Sequence, residues 1–186
     1  MDFINCYTDG SATVNGKDAG KGGFGVYFPD LMGTPRAFSL GFKNGLTGQM
    51  EVCALLYAIR AIPLNYDKPL TLRVYSDSEY VVKTFTEKRL QKWVSNGWRN
   101  SSGDVKNRSL WEFIIEALKD RSFLVLEMIH IRSHKLEKEK DPEKKKYLKM
   151  NPDVIGNCMA DKFADYKRHT NLLESVFEIK HSKSIF

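Results

Sequence analysis

The hydrophobic period changes once early in the chain, and that change restricts the fold more than any other feature. Three short runs rich in β-branched and aromatic residues come first, at residues 3–8, 24–28 and 37–42. Asp9-Gly10-Ser11 ends the first and Pro29-Asp30 the second, with a Gly-rich stretch between. Turn-bounded runs of this kind read as antiparallel hairpin strands. From 49 to 62 the apolar residues Met50, Cys53, Ala54, Tyr57, Ala58 and Ala61 recur at helical spacing, and Pro63 marks the end.

The rest of the chain alternates. Residues 70–75 read as a compact strand. Ser76 and Glu79 have the spacing of a capping box for a helix to about Phe85. A further helix fits 88–97. Asn107 is placed to cap another, with Leu110, Trp111, Ile114, Ile115 and Leu118 as its buried stripe. Residues 123–130 read as a fifth strand and 156–169 as a last helix. This order predicts an α/β fold: a five-stranded mixed sheet with three leading antiparallel strands, flanked by helices. One domain over 1–170 is expected, with a solvated, mobile insertion over 135–150 that is dense in Lys and Glu and has Pro142 in its middle. A C-terminal tail, 171–186, is left unplaced.

Composition removes several function classes. The three cysteines lie far apart, so neither a disulfide framework nor a zinc ribbon is suggested. His130 and His134 have H-x-x-x-H spacing, but with no cysteine pair a zinc site is not expected. No apolar run is long enough for a membrane span. No signal peptide precedes the first strand, so a cytoplasmic protein, near the nucleoid or replication machinery, is expected. Gly20, Gly22, Gly23 and Gly25 lack the spacing and following helix of a nucleotide loop. The formal charge of +6 favours polyanionic partners.

Four carboxylates stand out by position. Asp9 ends strand one, and alone it reads as a turn-former. Glu51 lies in line with Leu55, Ile59 and Ile62 on an otherwise apolar row. Either it sits at an exposed helix end or something positive meets it. Asp77 ends strand four, as a first-turn acid or as a site residue at the sheet edge. Asp161, on the last helix, reads alone as a solvent-facing acid. Taken together, four acids converging on one sheet edge would repel strongly unless a cation neutralised them, and hard divalent cations take oxygen ligands.

At these residues the sequence resembles a known family. Tyr7-Thr8-Asp9-Gly10-Ser11, Gly48-Gln49-Met50-Glu51, Tyr75-Ser76-Asp77-Ser78 and Gly156-Asn157-Cys158-Met159-Ala160-Asp161 look like the four acidic motifs of type 1 ribonuclease H, in order, over about residues 2–169. Trp93-Val94-Ser95-Asn96-Gly97-Trp98, followed by Val105-Lys106-Asn107 and Leu110-Trp111, resembles the basic handle of bacterial and cellular members. The chain departs from the pattern in the 22 residues between His134 and Asn157 and in Leu46-Thr47-Gly48-Gln49 before Glu51. With residue 3 already beginning the fold, a stand-alone enzyme of bacterial or viral type, without a hybrid-binding domain ahead of it, is expected.

The resemblance implies an endonuclease that hydrolyses the RNA strand of RNA–DNA hybrids with two Mg²⁺ ions, Mn²⁺ being a substitute, and leaves 5′-phosphate and 3′-hydroxyl ends. Asp9 would bridge both ions, Glu51 and Asp77 would hold the leaving-group ion, and Asp161 the nucleophile-side ion. His134 would be the mobile histidine that aids product release, with His130 as its rival. Asn15 would bind backbone and Thr47 would line a phosphate pocket. Lys88, Arg89, Lys92 and Lys106 would meet phosphates beside Trp93 and Trp98. For Trp98, in a polar loop, contact with nucleic acid is favoured over the core; for Trp111, the core. A monomer is expected, and a polymerase partner stays open. The rival readings are a related junction nuclease, or a binding module that keeps the fold.

Overall fold

The computed structural model describes residues 2–133, 135–169 and 172–173. Strand β1 (Asp2–Ala12) lies in the middle of the sheet, antiparallel to β2 (Gly22–Leu31) and parallel to β4 (Leu70–Ser76). β3 (Thr34–Phe42) extends the hairpin on one side, and β7 (Leu124–His130) pairs parallel with β4 on the other. The order is β7-β4-β1-β2-β3, with a two-residue strand β8 (Leu172–Leu173) added at the β3 edge. The sheet thus has six strands among the described residues where five were expected.

Helix α1 (Thr47–Arg60) packs on β1 and β2 and against α4 (Arg108–Lys119). Helix α7 (Pro152–Lys167) packs on β1, β2 and β3. Strand alternation separates the two contacts. An added Cβ on Gly10 would lie 2.2 Å from the backbone N of Glu51 in α1, whereas Tyr7 meets Gly156 in α7. The odd-numbered residues of β1, Asp9 among them, therefore share the α7 side. Gly23, Gly25 and Gly41 form the floor for α7, since a Cβ there would come within 2.0–2.4 Å of its backbone carbonyls. The Gly-rich stretch reads as a turn up to Gly23; Gly22 and Gly23 are strand residues, and Gly23 is kept free of a side chain so that α7 can lie on the sheet.

Helices α2 (Glu79–Thr86) and α3 (Arg89–Ser95) and the small hairpin β5 (Arg99–Asn100) and β6 (Gly103–Asp104) complete the segment before α4. The capping box expected at Ser76 does not form. Ser78 is the cap, its Oγ accepting from Val81 N at 3.3 Å, while Ser76 Oγ accepts from Ser78 N.

The 135–150 insertion, expected as solvated and mobile, contains the short helices α5 (Lys135–Lys138) and α6 (Pro142–Leu148), and α6 buries none of its residues. Pro142 starts a helix here instead of interrupting one. Asp141 caps it, accepting from Glu143 N at 2.9 Å and Lys144 N at 3.3 Å, and proline is tolerated at a first helical position. Asn151-Pro152 repeats the device, so α7 begins four residues before the expected 156. Among the described residues no helix is long and apolar enough to cross a membrane.

Candidate active site

The register of β1 against β4 brings two of the acids to one edge. Thr8 pairs with Ser76, so Asp77 follows the end of β4 and Asp9 stands next to it on β1; strand one does not end at Asp9 as expected but runs on to Ala12 against β2. Carboxyl ends of such strands are where α/β sites collect. Asp161 lies on α7, the helix that covers the Asp9 side of β1. Burial, then the charges of Asp77 and Asp161, push the Asp9 carboxyl up to about 8, and a hydrogen bond with Asp161 adds to this.

Glu51 approaches from α1, held by the close contact at Gly10. Burial raises its carboxyl above the ordinary range; the Ser78 hydroxyl, donating to Oε2 at 2.6 Å, opposes this, and the Asp77 charge adds to it. Ser78 thus caps α2 and orients Glu51. Asp9 is more than a turn-former, and Glu51 is not an acid at an exposed helix end: both are partly buried, and each feels the charge of Asp77. The position of α7 is fixed by Tyr7, whose hydroxyl donates to Asp153 at 2.8 Å and whose ring stacks on Tyr75 at 4.8 Å between centroids. Sequence reasoning missed Ser78 and the Tyr7–Asp153 pair. The one available signal was Ser78 next to Asp77; nothing local pairs Tyr7 with a residue 146 positions away.

The donor set suits a hard divalent cation: four carboxylates, all oxygen, with Asp9 proton-loaded in the cation's absence. Among the described residues, however, no three His, Cys, Asp or Glu groups come together as a ready-made metal centre.

The remaining expected residues fall into three groups. Asn15, in the β1–β2 turn, and Thr47, opening α1, are exposed. Lys88, Lys92 and Lys106 are exposed, while Arg89 pairs with Glu87 at 2.7 Å. Trp93 and Trp98 are corrected. Both are buried in the core, where Trp93 lies against Trp111 and Tyr80. Gly97 and Trp98 both adopt positive φ, which turns the Trp98 backbone inward to donate to Trp93 O at 2.7 Å. Trp111 is in the core as expected. His134 lies outside the described residues. His130 is exposed, its Nε2 3.3 Å from the Asp77 carbonyl oxygen.

The RNase H family model matches residues 2–168. The chain belongs to the RNase H family. Members of the RNase H family hydrolyse the RNA strand of RNA–DNA hybrids. A Ribonuclease H of Symbiobacterium thermophilum is 35% identical over 136 residues, covering 72% of this chain and 84% of that protein. In structure, the RNase H fold is shared with the PFV RNase H domain (TM-score 0.61, 24% identity, 89% of this chain and 94% of that one). It is shared as well with the foamy viral protease-reverse transcriptase in complex with RNA/DNA hybrid (TM-score 0.66, 21% identity). That match covers 90% of this chain and only 20% of the much longer viral protein.

Proposed function

We propose that this RNase H hydrolyses the RNA strand of RNA–DNA hybrids by two-metal-ion catalysis, leaving 5′-phosphate and 3′-hydroxyl ends. The observation that carries this reading is the gathering of Asp9, Asp77 and Asp161 about one sheet edge, where burial of Asp9, then the charges of Asp77 and Asp161, push its carboxyl up to about 8. Such an arrangement is costly for folding and is relieved by a divalent cation. Asp9, Glu51, Asp77 and Asp161 would hold Mg²⁺, or Mn²⁺ in its place. When bound, the ions supply charge neutralisation at the attacking and leaving oxygens of an in-line displacement.

The chain's own groups do the rest. Ser78 holds Glu51 in a single orientation. The Tyr7–Asp153 hydrogen bond and the glycine floor keep Asp161 at a fixed height over β1. Glu51 would also meet a 2′-hydroxyl, the group that separates RNA from DNA. Lys88, Lys92 and Lys106 would bind phosphates of the hybrid, as would Asn15 and Thr47. Trp93 and Trp98 support this surface from beneath.

The test is cleavage of an end-labelled hybrid in Mg²⁺, with duplex RNA and duplex DNA beside it. Cutting confined to the RNA strand, and abolished by EDTA and by Asp9→Asn, is expected. A hybrid bound tightly but left whole in both Mg²⁺ and Mn²⁺ would make the protein a binding module.

A further inference from the structure

The connection from β7 to α7 has to cross the sheet. β7 is the outer strand beside β4, while α7 packs on β1, β2 and β3. The described residues of this connection therefore start across the carboxyl end of β4, beside Asp77. Ile131 N–H donates to Ser76 O at 3.0 Å and ties the start of the crossing to the end of β4. The extra length of this connection is folded into α5 and α6.

Between these helices and the strand ends lies a cavity of about 670 Å³ with Asp77 and His130 on one wall. Its volume falls in the roughly 300–1,000 Å³ range of small-molecule sites. Arg132, Ser133 and Lys138 supply N–H and O–H donors, and Ile131 and Leu148 supply apolar surface. Glu139 also faces the cavity, but its Oε1 accepts from Asp141 N at 2.9 Å and is tied to the loop backbone. The lining thus carries two cationic donors, Arg132 and Lys138, against two carboxylates, Glu139 tied to the loop backbone and Asp77 assigned above to the metal site.

We propose that this cavity is a subsite for the nucleotide of the cleaved strand that adjoins the cut phosphodiester. Its phosphate meets Arg132 and Lys138, and its sugar or base rests on Ile131 and Leu148. This rests on the hydrolysis reading above and adds that the insertion between β7 and α7 is part of the substrate-binding surface.

The test measures binding of an RNA–DNA hybrid in EDTA, where it stays whole, for the parent, Lys138→Glu, Arg132→Glu and Leu148→Trp. Lys138 and Arg132 are exposed, so the charge reversals test binding even where the larger Trp disturbs packing. Each variant should raise Kd by about tenfold at low salt with an unchanged Tm. Each charge reversal should also reduce the slope of log K against log salt by about one phosphate contact, roughly 0.7–0.9. Parent Kd and slope in both charge reversals would overturn the proposal. A competition arm with nucleoside monophosphates separates the sources. Free nucleotide that inhibits the parent competitively, with hybrid Kd unchanged in the variants, would assign the cavity to a free ligand and overturn the substrate-strand assignment. Failure of the parent to cut the hybrid in Mg²⁺ sinks the hydrolysis reading instead, and leaves the EDTA binding result to decide the subsite.

Discussion

Replacing Asp9 by Asn should abolish catalysis and at the same time stabilise the metal-free protein. Asp9 has a carboxyl pushed up to about 8 in the folded state, against 3.8 as its ordinary value. A group whose folded pKa is raised holds its proton longer when folded, so its stabilising contribution is complete below 3.8 and is lost as pH rises toward 8. Over the roughly three pH units from 3.8 to 7, at ~1.4 kcal/mol each, the loss reaches about 4 kcal/mol at most. Asn reproduces the shape of the protonated acid without the titration. In EDTA, Asp9→Asn should therefore exceed the parent's stability at pH 7 by up to about 4 kcal/mol, or roughly 8–16 °C in Tm for a chain of this size. The advantage should shrink toward zero by pH 4. Adding Mg²⁺ at pH 8 should raise the parent's Tm and leave that of Asp9→Asn nearly unmoved. Urea unfolding across pH 4–8, with and without the metal, measures all of this. A stability difference that is flat in pH, or an Asp9→Asn protein less stable than the parent at pH 8 in EDTA, would refute the account of a carboxyl crowded by Asp77 and Asp161.

Ser78→Ala removes the hydroxyl at 2.6 Å from Glu51 and the cap of α2. It should cost about 1 kcal/mol in urea unfolding and move the acid limb of the kcat/KM–pH profile to higher pH, since the bond that lowers the Glu51 pKa is gone. Gly10→Ala puts a Cβ against the backbone of α1, which cannot rotate away. A loss of about 1–3 kcal/mol, with much reduced turnover as Glu51 shifts, is expected from denaturation and rate measurements. Trp93→Ala should cost about 3–5 kcal/mol, so any weaker hybrid binding should track the fraction unfolded and recover on cooling.

The acids were legible because each is fixed by a local pattern. Asp77 follows a short apolar strand and Glu51 interrupts an apolar helical row, while Asp9, read as the end of strand one, lies within β1, which runs on to Ala12. The buried stripe Leu110, Trp111 and Ile114 was readable from helical spacing alone. Trp98 was not readable. Its position depends on positive φ at Gly97 and Trp98, which turns a polar loop inward, and local polarity suggested the opposite. The helix α6 was missed for a related reason. Pro142 signals a break until it is seen behind the Asp141 cap, where the missing N–H costs nothing.

By itself the sequence determined the order of the main sheet-and-helix elements, the four carboxylates and the family resemblance, because period, turn chemistry and motif spacing are local properties. Only the tertiary structure decided what those groups do to one another. The Asp9 carboxyl is raised first by burial and then by residues 68 and 152 positions away, which no local pattern joins. The glycine floor under α7, the Tyr7–Asp153 bond and the cavity beside Asp77 likewise exist only where distant segments meet. Close packing acts over a few ångströms and charge coupling over roughly 10 Å, distances set by the fold and not by the order of residues.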